Sequence, residues 1–116
     1  MRPFGLALIL SLLLPAAAQA FERVTDPDTF AQVVVGREIS RTGIRLTVLP
    51  DGRIEGRALG LAVTGDWRWA DGFFCRSMAW SNQEIPFNCM VVLANGRSVR
   101  FIADRGTGDY ADFRVR

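Results

Sequence analysis

Leu61-Ala62-Val63-Thr64-Gly65-Asp66-Trp67-Arg68-Trp69-Ala70 decides the fold class. Leu61, Val63, Gly65, Trp67 and Trp69 fall on one side of an extended chain, while Ala62, Thr64, Asp66 and Arg68 fall on the other. That period of two belongs to a strand with one buried face; a helix would mix the two sets around its circumference. Ala70-Asp71-Gly72 then supplies a turn, and Phe73 to Trp80 reads as the next strand.

The same alternation extends outward in both directions. Upstream, Ile44, Leu46 and Val48 alternate with Arg45 and Thr47, and Pro50-Asp51-Gly52 turns the chain into a strand from Arg53 to Leu59. Downstream, Ser81 to Pro86 joins a strand from Phe87 to Ala94, Asn95-Gly96 turns into Arg97 to Asp104, and Arg105 to Asp109 leads to a last strand, Tyr110 to Arg116. Turns at this spacing are those of sandwiches and barrels. The expectation is a mainly β domain, a small antiparallel meander barrel or strongly curved sheet of six to eight strands. Closure is favoured because it removes two edges. One short helix should precede the sheet: Thr25 or Asp26 can cap it, Pro27 suits its first position, Phe30, Val33 and Val34 share a face, and Gly36 ends it.

Residues 1–20 read as a cleavable signal peptide. Arg2 is the positive n-region, Phe4 to Leu14 the apolar h-region, and Ala18-Gln19-Ala20 a small-x-small cleavage site. The h-region is shorter than the roughly 20 apolar residues of a spanning helix, so the expected mature chain, a single domain over 21–116, has no membrane anchor. The periplasm is the first expectation for its compartment, and secretion to the medium the second.

Cleavage leaves 96 of the 116 residues, enough for one core. The remaining 13 Arg nearly balance 12 Asp plus Glu, so no bulk field gathers nucleic acid or an anionic membrane. All basic residues are Arg, as expected from a GC-rich genome. His is absent, which removes the usual general base and the commonest metal ligand and excludes His-based hydrolase triads.

Cys75 and Cys89 lie on neighbouring predicted strands. If they face each other, the same register sets Ser77 against Phe87 and Ala79 against Ile85, with Trp80 to Glu84 as the turn. A structural disulfide is the expected role, in preference to a redox pair or a metal site, since two thiolates without His make a poor zinc site.

Several motifs carry weaker signals. Gly106-Thr107-Gly108-Asp109-Tyr110-Ala111 satisfies G-x-G-x-x-A, but a dinucleotide site needs a helix opening at these glycines within a βαβ unit. Only five residues follow Ala111, and they read as strand. Asp104, Asp109 and Asp112 lack the spacing of a calcium loop; solvated acids paired with Arg100, Arg105 or Arg114 are expected. Trp67 and Trp69 read as core, or as the lining of a barrel mouth beside Arg68 or Arg76 where a sugar or small amphipathic ligand would sit. Phe74, Met78 and Trp80 alternate with Cys75 and read as an exposed apolar strip for a protein partner. For catalysis the candidates are the carboxylates Glu84, Asp66 and Asp104, with Tyr110 as an acid.

The runs Val63-Thr64-Gly65-Asp66-Trp67-Arg68-Trp69-Ala70-Asp71-Gly72-Phe73-Phe74-Cys75-Arg76, Glu84-Ile85-Pro86-Phe87-Asn88-Cys89, Val99-Arg100-Phe101 and Asp104-Arg105-Gly106-Thr107-Gly108-Asp109 resemble a group of small uncharacterised exported proteins of alphaproteobacteria. Some similar sequences carry the label dihydrodipicolinate reductase. Taken literally, that resemblance implies a Rossmann domain, a substrate domain and a cytosolic cofactor, for which this chain has no room. Gly65-x-Trp67 is also similar to the lipocalin-type G-x-W.

The expected function is an exported, non-enzymatic binding or protein-interaction module. It needs no cofactor and no metal, and it contacts an envelope protein, a glycan or a small amphipathic ligand. A small carboxylate-dependent envelope enzyme is the alternative, and reductase-like activity the third reading.

Overall fold

The computed structural model describes Gly5 and residues 20–116. The predicted leader otherwise lies outside the described residues.

Two-residue turns with left-handed backbone drive the meander. Leu59 and Gly60 have φ of 50° and 80°, and Asp71 and Gly72 have φ of 54° and 83°; such pairs match the twist of the strands they join. The elements run in the order β1 (Glu22–Val24), α1 (Pro27–Val33), β2 (Glu38–Arg41), β3 (Ile44–Val48), β4 (Arg53–Ala58), β5 (Leu61–Ala70), β6 (Phe73–Trp80), β7 (Gln83–Asn95), β8 (Ser98–Ile102) and β9 (Tyr110–Val115). Each strand from β2 to β9 pairs antiparallel with the next. Ile39 of β2 then pairs with Val115 of β9, closing an eight-stranded barrel. The expected meander barrel is therefore what forms. The short β1, too brief to show a period, adds to β7 through Val24↔Val92.

One register differs from expectation. Cys75 does pair with Cys89, but Met78 pairs with Ile85 and Ala79 with Glu84, instead of Ser77 with Phe87 and Ala79 with Ile85. An extra residue on β7 near Pro86 and Phe87 makes a bulge, and a bulge is where a strand tolerates a proline without a ladder N–H. The turn contracts to Ser81-Asn82, with Ser81 at φ 55°. β7 consequently begins at Gln83, four residues earlier than the sequence pattern indicates.

Curvature rests on two inward glycines. A Cβ on Gly56 would run into the Arg45 carbonyl oxygen and the Leu46 backbone, and one on Gly65 into the Ser77 carbonyl oxygen and the Met78 side chain. Neighbouring strands approach so closely there only because no side chain intervenes. Gly65→Ala is expected to lower stability by about 1–3 kcal/mol through overpacking. An unchanged urea midpoint would show that β5 and β6 can part without loss.

Helix α1 plugs one end of the barrel. Asp26 caps it by accepting from the Thr29 N–H at 3.3 Å, and Pro27 opens its first turn. Phe30 and Val34 are fully buried. The Phe30 ring lies 5.0 Å from Trp69, 5.1 Å from Phe74 and 5.5 Å from Trp67, measured between centroids. From Phe74 the aromatic contacts continue to Phe101 at 5.3 Å and on to Phe113 at 5.7 Å. This column fills the barrel axis from the plug toward the opposite end.

Candidate functional site

The end of the barrel opposite α1 is open. The turns β2–β3, β4–β5 and β6–β7 surround it, together with the segment 103–109 between β8 and β9. Two adjoining chambers enter the lumen there and share Leu46, Met78 and Phe113. One, about 250 Å³, reaches down to Phe74 and Phe101 and has Arg76, Asp109 and Tyr110 among its lining residues. The other, about 390 Å³, lies between Ile44, Leu59, Trp80 and Ile85. Side chains alternating inward from every strand make these walls apolar, the usual character of a small-molecule site.

Arg76 brings a charged side chain to the inward face of β6. It stands opposite Trp67 in the β5–β6 ladder, between Phe74 and Met78 on the same side of its strand. Its Nη1 donates to the Pro86 carbonyl at 2.8 Å, so the bulge provides its anchor. Burial lowers its pKa from the usual guanidinium value. Among the described residues no carboxylate pairs with it within 4 Å.

At the rim, the Tyr110 ring lies 4.2 Å from the Arg100 guanidinium and the Phe21 ring 4.3 Å from it. Asp112 accepts from Arg100 twice, at 2.7 and 3.0 Å, which holds its carboxyl below the usual aspartate value. The first residue after the predicted cleavage site is thereby fastened to the outside of β8.

The segment 103–109 contains a helical turn, Ala103–Gly106, whose Asp104 and Arg105 are left-handed, with φ of 54° and 55°. Asn88 accepts from the Asp104 N–H at 2.9 Å and donates to its carboxylate at 2.8 Å, tying the turn to β7. After Gly106-Thr107-Gly108 the chain enters β9, so the helix required by a dinucleotide site is not there. Among the described residues, no three acidic or thiol side chains are grouped to hold a metal ion.

The sequence-predicted face divides in two. Trp67 and Trp69 pack against α1 as core, and the Trp67 Nε1–H donates to the Leu49 carbonyl at 2.7 Å. Phe74, Met78 and Trp80 do not form an external strip: they point inward, Phe74 only 4% exposed, and Trp80 donates to the Ala58 carbonyl at 2.8 Å. Arg68 and Arg76 are on opposite faces. Arg68 sits outside, 5.4 Å over the exposed Phe87 ring, while Arg76 faces the lumen. Parity along β6 carried this signal, since residue 76 shares the side of Phe74, Met78 and Trp80.

Of the carboxylates considered for catalysis, Asp66 and Glu84 line one open outer groove of about 550 Å³, while Asp104 lies on the β7 side and Tyr110 at the lumen mouth. Cys75 and Cys89 are disulfide-bonded on the outer face, with Cα atoms 3.9 Å apart. No helix among the described residues is long and apolar enough to cross a membrane. No family model matches the chain, and comparison with curated proteins and with solved structures finds no match.

Proposed function

We propose that the protein is an exported, non-enzymatic binding module whose barrel lumen takes a small, mainly apolar molecule. The carrying observation is a lumen plugged at one end by α1 and open at the other through two apolar chambers. Of the three partner classes expected from sequence, the small amphipathic ligand fits these walls best. A glycan would leave its hydroxyls without partners there, and the strip expected to meet a protein partner is turned inward. The disulfide supports an oxidising compartment, the periplasm first and the medium second.

The test is fluorescence titration with the neutral probe N-phenyl-1-naphthylamine, using protein produced from the full chain. Ala111 lines the smaller chamber, so Ala111→Phe is expected to fill it and weaken probe binding by about tenfold or more. Equal binding by both proteins, or none by either, would count against a lumen site.

A further inference from the structure

We propose, building on the lumen reading, that the preferred ligand is a single-chain anionic amphiphile whose carboxylate is held by Arg76 and whose chain occupies the apolar chambers. A guanidinium carries five N–H donors in a planar fork. In Arg76 one nitrogen is engaged, by the Pro86 carbonyl, and that anchor orients the group without neutralising it. Asp109 lines the same chamber but lies beyond ion-pair distance, and the four ion pairs formed among the described residues all involve other arginines.

A charge drawn partly out of water and left without a counter-ion is unfavourable unless something supplies one. Burial is the cause that depresses its pKa, and no neighbouring acid opposes that shift. A carboxylate meets the need with two parallel N–H···O bonds, whereas a neutral hydroxyl accepts one weaker bond. Around this polar point the walls offer Leu46, Met78, Phe101 and Phe113, matched to an alkyl chain. An unpaired guanidinium within a mainly apolar cavity therefore specifies both ends of the ligand.

The experiment is calorimetric titration of the wild-type protein, Arg76→Gln and Arg76→Lys with decanoate and with decanol. Decanoate is expected to bind the wild type about tenfold or more tightly than decanol, as for a hydrogen bond to a charged group. Arg76→Gln should abolish that preference while leaving decanol affinity within about twofold. Arg76→Lys should retain part of the preference as a point charge. Equal affinity for the two ligands in the wild type, or equal weakening of both by Arg76→Gln with the preference intact, would overturn the Arg76 assignment and leave the lumen reading standing. Binding of neither ligand, together with no binding of the neutral probe, would overturn both.

Discussion

Phe30→Ala is expected to remove about 3–5 kcal/mol of stability, the loss typical of truncating a buried phenylalanine. Helix α1 has seven residues, too few to persist by its own hydrogen bonds. Its place depends on Phe30, in its middle, and Val34, at its C-cap, neither of which is exposed. Truncation leaves a cavity bounded by Trp67, Trp69 and Phe74 and detaches the plug from all three rings. A domain of this size has roughly 5–15 kcal/mol in total, so the variant should be only marginally folded. Urea unfolding followed by tryptophan fluorescence measures the loss, and native-state emission should shift to the red as water reaches Trp67 and Trp69. Gln32→Ala, on the exposed side of the helix, should change the midpoint little. A loss below about 1 kcal/mol for Phe30→Ala would mean the barrel closes without its plug.

The strands were legible where one physical signal dominated. Alternation from Leu61 to Ala70 and the Asp71-Gly72 turn are local properties, and β5 and β6 form over the ranges those residues indicate. Asp26 and Pro27 are likewise local cap signals, and α1 starts there. Pro86 misled because a proline normally marks the outside of a strand; the bulge that admits it is a property of the β6–β7 pair, not of either segment. The three residues of β1 are strand only because β7 offers them an edge.

The lumen was less legible than the barrel. Inward alternation is the same whether side chains fill a barrel or leave chambers in it, since this depends on strand number and tilt. The separation of Arg68 from Arg76 follows once register is set, because Arg68 pairs with Cys75 and so shares its side, while Cys75 and Arg76, adjacent on β6, face opposite sides. Their common proximity to the tryptophans concealed it: Trp67 stands opposite Arg76, and Arg68 opposite Cys75.

Replacing both cysteines, as Cys75→Ala with Cys89→Ala, is expected to lower stability by about 3 kcal/mol from the lost constraint on the unfolded chain, given a sequence separation of 14. The position of the bond adds a second effect. It joins β6 to β7 immediately beside the bulge, where Arg76↔Asn88 gives way to Met78↔Ile85. Without the bond, the bulge-free pairing that carries the Met78↔Ile85 register through, setting Cys75 against Asn88 and Phe74 against Cys89, becomes a competitor that the Cys75–Cys89 bond excludes. A one-residue slip of that kind exchanges lumen-facing and outward side chains along the shifted stretch. Met90, a wall of the smaller chamber, would leave it, and the bulge that presents the Pro86 carbonyl to Arg76 would be lost. The double variant should therefore show a lower urea midpoint and, under conditions where it remains folded, weaker binding of the neutral probe than the wild type. Intact binding with the expected stability loss would confine the disulfide to the unfolded-state effect; a stability within about 0.5 kcal/mol of wild type would contradict both roles. The bond is thus expected to hold the register that builds the lumen as well as to limit the unfolded chain.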